Sequence, residues 1–312
     1  LPKFCEVRAS YSLISSGTEL KIFKGHFDDD AALDVNIKDM KSERMTYPLS
    51  YGYCLVGVVV DCGSELPREN YLGKTVFTFS PHATHVVTDA DAVQIVPDGI
   101  DPQDAIFMPS VETALSLVHD AHVRLGENVA IYGQGLIGLL VTALLSRGTS
   151  DDSSGRFDSV TTFDMIPDRL AVSSKMGASQ ALIPGKNTQG VHFDVSIEVS
   201  GNARALQSAI DNTVNGGRVI VGSWYGNKDV SLKLGIDFHR SHKTIQTSQV
   251  SEIPASLSQL WTKERRFAFT WDLVKQLRPG RRLLTKVLPL ESAQEAYEAL
   301  DNGTEIAIAF KY

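Results

Sequence analysis

The chain has 312 residues, a length that suits about two domains, with 43 % hydrophobic and 21 % charged residues. That balance is ordinary for a folded globular protein and excludes a disordered chain, a collagen or a disulfide-built miniprotein. A net charge of −7 argues against broad nucleic-acid binding, and the longest apolar run, Val129–Leu145, is broken by Gly133, Gly135 and Gly138, so no membrane span is expected.

Residues 1 to about 102 read as β-rich. Apolar runs at Phe4–Ala9, Cys54–Val60, Thr75–Phe79, Thr84–Val87 and Val93–Val96 are separated by turn residues such as Asp61-Cys62-Gly63-Ser64 and Pro97-Asp98-Gly99. Residues 27–46 are polar and read as a surface loop. Because the chain opens at Leu1 and enters a strand almost at once, the natural N-terminus is expected to lie upstream, which leaves targeting open. Cys5, Cys54 and Cys62 make no CxxC spacing and are too few for a disulfide framework. Reduced thiols in a reducing compartment, cytoplasmic or organellar, are expected.

From about residue 103 the period changes. Pro102–Leu125 reads as helices. Strand signals then alternate with helix signals: Val129–Tyr132, Leu136–Arg147, Val160–Phe163, Pro167–Met176, Val195–Val199, Ala203–Thr213 and Val219–Val221. That βαβα order implies a doubly wound parallel sheet over 103–246, interrupted by a polar loop at 148–159. Residues 247–312 form a returning segment with helices near Lys263–Gln276 and Ser292–Asp301 and a strand near Thr285–Leu288.

The strongest motif is Gly133-Gln134-Gly135-Leu136-Ile137-Gly138, which follows an apolar strand and opens an apolar helix. In that context GxGxxG reads as a dinucleotide-binding turn. Gly133 permits the tight turn, Gly135 lets the backbone approach a pyrophosphate, and Gly138 lets helix and strand pack closely. Asp164 ends the next strand and stands where a carboxylate accepts the ribose hydroxyls and repels a 2′-phosphate. NAD(H) is therefore expected over NADP(H). Arg169, Ser200 and Gly201 join the candidate cofactor set. Glu198 has two open readings, a structural one and a functional one. Trp224-Tyr225 either packs or lines a cleft.

The order of a β-rich lobe, a GxGxxG domain and a returning C-terminal segment resembles the medium-chain dehydrogenase/reductase superfamily. The resemblance rests on Ser16-Gly17-Thr18-Glu19, Tyr47-Pro48-Leu49-Ser50-Tyr51-Gly52-Tyr53, Gly133–Gly138 and Asp164. The stretch Ile14–Gly25 followed by Tyr47–Tyr53 is similar to the branch containing the bacteriochlorophyllide 3-hydroxyethyl dehydrogenases. The resemblance implies an α/β fold, with a GroES-like catalytic lobe at 1–102 and a Rossmann domain at 103–246, and implies Ser223 and Trp224 as members of the candidate cofactor set. A typical member has roughly 25 further residues at its start.

The resemblance also implies a departure. Zinc-dependent members use a Cys, a His and a third ligand; the matching positions here are Ser16, Tyr53 and Met108. A hydroxyl, a phenol and a thioether make no zinc site, so none is expected. His82 and His85, three apart, face opposite sides of a strand, while His119 and His122 are at a spacing that could put them on one helix face; both pairs otherwise read as surface or packing histidines, since two ligands alone make no metal site. Without a metal, hydrogen-bond donors must polarise the substrate. Thr18 matches the family's relay hydroxyl. Tyr53 either donates or fills the vacated metal space. His82 is either a titratable catalytic group or a packing residue.

The basic stretches Lys263–Arg266 and Arg278–Arg282 read as a solvated face or an acidic-substrate cluster. The expected function is a zinc-independent NAD(H)-dependent oxidoreductase acting on the alcohol/ketone pair of a small, bulky or conjugated substrate. A quinone or enoyl reductase and a non-catalytic dinucleotide sensor are the alternatives. A homodimer is expected, joined through the strand ending at Val221 with Ser231–Leu234 beside it.

Overall fold

A computed structural model describes residues 2–27, 44–146, 159–185, 192–235 and 237–312. The expected loop at 27–46 and the polar stretch at 148–159 fall almost wholly outside them. The strands in chain order are β1 (Phe4–Leu13), β2 (Leu55–Cys62), β3 (Thr75–Thr78), β4 (His85–Asp89), β5 (Gln94–Ile95), β6 (Asn128–Tyr132), β7 (Ser159–Phe163), β8 (Gln180–Leu182), β9 (Phe193–Glu198), β10 (Thr213–Val221), β11 (Thr244–Thr247), β12 (Leu284–Pro289) and β13 (Ala307–Lys311). The helices are α1 (Ser16–Phe23), α2 (Arg68–Tyr71), α3 (Pro102–Ala105), α4 (Met108–Ala121), α5 (Leu136–Leu145), α6 (Pro167–Lys175), α7 (Ala203–Asn212), α8 (Asp237–Arg240), α9 (Lys263–Leu277), α10 (Pro279–Leu283) and α11 (Ala293–Asp301).

The chain divides into two units, Leu1–Pro109 with Ala268–Tyr312, and Ser110–Phe267. The first is built on a sheet of order β12-β13-β1-β2-β3-β5, with β4 also paired to β1. Its pairings are antiparallel except β12 with β13. β1 is the pivot, because its first half holds β4 and its last residues hold β13. One face packs Val7, Leu55, Val59 and Val76. A second cluster seats α11 against the strands through Ile14, Ala296, Leu300 and Phe310.

The second unit is a six-stranded sheet of order β11-β10-β9-β6-β7-β8, parallel throughout. Its helices start as the sequence signals predict. Pro167 occupies the first turn of α6, and the Asn202 side chain accepts from the Arg204 N–H to cap α7. The β-rich lobe and the parallel α/β sheet are the two halves read from sequence.

The strands β8, β11 and β13 and the helices α1, α2, α8 and α10 were not anticipated. The addition of β11 corrects the expected dimer edge. Thr244–Thr247 pairs in parallel with Arg218–Val221 and covers β10, and Ser231–Leu234 forms no strand. β10 also begins earlier than expected, at Thr213. An irregularity in its register between Thr213 and Arg218, with Gly216 at φ +73°, had hidden the continuity.

Candidate active site

In the second unit the glycine-rich turn joins β6 to α5. Gly133 has φ +102°, and a Cβ there would lie 2.8 Å from the backbone of Ser200. A Cβ on Gly138 would meet the Gly133 carbonyl oxygen at 1.9 Å. At Gly135 a Cβ would meet nothing within 4 Å, so the turn is closed on its sheet side and open at its middle glycine. The first helical hydrogen bond of α5 runs from Leu139 N–H to Gly135. The N–H groups of Leu136, Ile137 and Gly138 therefore fall outside the helical ladder, at the positive end of the helix dipole.

Asp164 stands beside this turn. Its Oδ2 accepts from the Gln134 N–H at 2.6 Å and its Oδ1 from the Ile166 N–H at 2.9 Å. Each carboxylate oxygen keeps a further lone pair, so the group is fixed in place and still able to accept. The Gln134 side chain turns inward instead. It is fully buried, donates to the Gly133 carbonyl and accepts from Thr142. Its part in the turn is played by its backbone. Arg169 lies in the first turn of α6, five residues past Asp164.

The ends of β9 and β10 meet through Glu198. This buried carboxylate accepts through Oε1 from Ser200 N–H, Ser200 Oγ and Gly201 N–H, and through Oε2 from Tyr225 Oη at 2.9 Å. Gly201 N–H also donates to Ser223 Oγ at 2.8 Å. Glu198 is thus a structural tie, and it gathers Ser200, Gly201, Ser223 and the partly exposed Trp224 at the carboxyl edge of the sheet, where ligands bind in such folds.

The first unit holds a different constellation. Ser15 precedes α1, but its hydroxyl makes no cap. It hydrogen-bonds with the Tyr53 phenol, which is also bonded to Thr18. The Ser15 N–H is satisfied by Glu19 Oε1 at 2.7 Å, across the first turn of α1. Glu19 is almost completely buried and its Oε2 accepts from His82 Nε2 at 2.9 Å and from Tyr297 Oη at 2.5 Å. The far side of the imidazole, Nδ1, bonds to Ser12 Oγ at 2.7 Å, and Ser12 in turn to Tyr312 Oη at 2.7 Å. The His82 ring packs edge-on against Phe310. It also lies against Gly52, where a Cβ would fall 2.9 Å from the ring.

Burial pushes the Glu19 carboxyl up, but the attraction of His82 and hydrogen bonds from His82, Tyr297 and Ser15 outweigh it, and the net displacement is downward. Burial and the neighbouring Cys54 and Glu19 push the Tyr53 phenol well above its ordinary range, against the pull of Ser15 and Thr18. Tyr53 is therefore a neutral donor at ordinary pH, and Glu19 a buried anion. Sequence reasoning gathered Thr18, Tyr53 and His82 but missed Glu19 as the hub, with Ser15, Ser12, Tyr297 and Tyr312 around it. The signal was an acid among Ile14, Leu20 and Ile22.

The donor set does not fit a zinc ion. Ser16 and Tyr53 supply hydroxyls, and Met108 is fully buried. The nearby Cys54 thiol is held well above its ordinary range by burial and the Glu19 charge, which disfavours the thiolate a metal needs. Among the described residues no group of three or more His, Cys, Asp and Glu is arranged to hold a metal.

Three further expectations need correction. His82 lies before β4 rather than on it, so its spacing to His85 has no strand meaning. His122 lies beyond the end of α4 with φ +46°, so it does not share a helix face with His119. Arg266 is no solvated cation; it is buried and pairs with Glu112 at 2.7 Å.

No protein-family model matches the chain. It is 27 % identical over 235 residues to D-guloside 3-dehydrogenase of Escherichia coli (strain K12), an alignment covering 72 % of this chain and 65 % of that protein. The chain thus spans a little under two thirds of that relative. It is 24 % identical over 263 residues to the uncharacterized zinc-type alcohol dehydrogenase-like protein YphC of the same organism, covering 80 % and 67 %. In three dimensions it matches an E. coli CFT073 alcohol dehydrogenase crystallised with NADH, with a TM-score of 0.76, 14 % identity and coverage of 100 % and 93 %. At that identity the likeness speaks for the fold.

Proposed function

We propose that the chain is a member of the medium-chain zinc-type alcohol dehydrogenase superfamily and an NAD(H)-dependent oxidoreductase that interconverts an alcohol and a ketone without zinc. The observation that carries this reading is the Tyr53 phenol held by Ser15 and Thr18; the family resemblance aligns Tyr53 with the histidine ligand of zinc-dependent members.

A nicotinamide dinucleotide, when bound, supplies or accepts the hydride. The turn at Gly133–Gly138 and the start of α5 offer N–H groups to its pyrophosphate. Asp164 accepts from ribose hydroxyls and disfavours a 2′-phosphate.

Tyr53 then meets the charge that develops on the substrate oxygen. A phenol has one proton to give and lone pairs to receive. When Ser15 and Thr18 donate to its oxygen, its own proton is free for the substrate. Glu19 and His82 do not touch Tyr53 directly in this scheme. Glu19 holds the Ser15 backbone, and His82 seats against Gly52, so the pair positions the phenol from both sides.

The similarity to the bacteriochlorophyllide dehydrogenase branch favours a bulky, conjugated substrate. We keep a homodimer in the proposal, now with β11 as the sheet edge that pairs across a two-fold axis.

The test is a panel of bulky and small alcohols and ketones, assayed with NADH or NAD after exhaustive chelation. Activity persists, and Tyr53→Phe lowers turnover at least about thirtyfold with NADH affinity unchanged, since one fixed donor contributes roughly 10² to 10³ in rate. Activity that requires about one zinc per chain overturns the zinc-free reading. A Tyr53→Phe change within about threefold overturns the role of Tyr53.

A further inference from the structure

Cys5 and Cys62 are directly opposite each other on the antiparallel strands β1 and β2. The Gly63 N–H donates to the Phe4 carbonyl at 2.8 Å, the bond that flanks a non-hydrogen-bonded pair. In such pairs the side chains leave on the same face and the Cα atoms are closest, about 4.5 Å apart, inside the range a disulfide spans. Both thiols belong to one buried cluster with Val7, Val59 and Ala90, and both are unbonded in this structure. Cys54 cannot compete for Cys62. It lies just before the opposite end of β2, roughly 26 Å away at about 3.3 Å per residue.

We propose that Cys5 and Cys62 form a reversible cross-strand disulfide when the chain meets a small-molecule disulfide oxidant. The Cys62 thiolate, at a strand end beside the Gly63-Ser64 turn, attacks the oxidant and expels one thiolate. The Cys5 thiolate then attacks Cys62 Sγ and expels the second. The two protein thiols lose two protons and two electrons, and the oxidant leaves as two thiols. Burial, with the charges of Cys62 and Asp89, raises the Cys5 thiol. Oxidation is therefore slow at neutral pH and accelerates as pH rises.

The closed loop contains Ser12, Ser15, Thr18, Glu19 and Tyr53. The bridge therefore staples β1, which carries Ser12 and leads into α1, to the strand that follows Tyr53. Its effect is on the stability of the segment that builds the candidate site, whatever reaction that site performs.

The experiment exposes the native chain to 2-hydroxyethyl disulfide at pH 7 and pH 8.5, then blocks, denatures and counts thiols. The expected count falls from the three of the sequence to one, faster at pH 8.5, and peptide mapping finds Cys5 joined to Cys62. The oxidised chain melts at least about 4 °C higher. Dithiothreitol reverses the shift and Cys62→Ser never shows it. Three thiols surviving, a bridge through Cys54, or only mixed disulfides with the reagent overturns the proposal. Mapping of the unmodified chain decides the matter even if Cys62→Ser does not fold.

Discussion

The two candidate sites, one in each unit, are made of different material. The nucleotide site is built from backbone: a glycine turn, the start of α5, and a carboxylate fixed by two N–H groups. The Tyr53 site is built from side chains drawn from β1, α1, α11, the loop before β4 and Tyr312 beyond β13. A backbone site tolerates almost any side chain except where a Cβ would collide. A side-chain site tolerates almost any loop but few changes of donor or acceptor.

That contrast ranks the expected effects. The largest belongs to Glu19→Ala, which strips the partner from His82, Tyr297 and the Ser15 N–H at once. Breaking a buried pair of this kind costs about 3–5 kcal/mol, read as a loss of stability in chemical denaturation. A Glu19→Ala chain as stable as the parent would mean that this site is not held by its side chains. Gly138→Ala tests the other site. Its Cβ would lie 1.9 Å from the Gly133 carbonyl, so the turn must move, at about 1–3 kcal/mol, and NADH should bind at least about tenfold more weakly. Unchanged affinity would show that the turn is not the cofactor cradle.

The smallest effect is a pH dependence inside the second unit. Burial first, then the charges of Arg266, His122 and Arg265, bring His119 down to about 4 from an ordinary 6.5. The folded chain keeps this ring neutral while the unfolded chain protonates it. Its contribution to stability is full above pH 6.5 and is lost as pH falls toward 4. Because the ring is partly exposed, about 1 kcal/mol is expected. Comparing the parent with His119→Phe, whose ring still packs on Trp261, the stability difference should shift over that window. A difference that stays flat from pH 7 to 4 contradicts the burial of a neutral ring. Glu19 behaves alike but lower: its net-depressed carboxyl stabilises above about 4.5 and the contribution is lost only as pH falls further.

The same contrast explains what the sequence could reveal. The glycine turn was legible because its requirements are local: Gly133 and Gly138 are demanded by contacts within one strand-turn-helix, and Asp164 follows at the end of the next strand. Glu198 was legible only as an ambiguity, since its four donors lie on residues 200, 201 and 225. Glu19 was in a quoted motif yet its role was invisible, because its partners His82 and Tyr297 are 63 and 278 residues away. Spacing rules carry no information over such separations. The strand β11 was missed for a related reason: Thr244–Thr247 is four residues long with Ile245 as its one apolar side chain, and only pairing with β10 makes it a strand.

The account stands or falls on the nucleotide site working as an NAD(H) cradle in a chain without zinc. Titration of the chelator-treated chain with NADH and with NADPH, followed by ligand fluorescence, measures this directly. The account predicts NADH tighter by at least about tenfold, a difference of about 1.4 kcal/mol, and a narrower gap in Asp164→Ser. Equal or tighter binding of NADPH, or no binding of either, would contradict it.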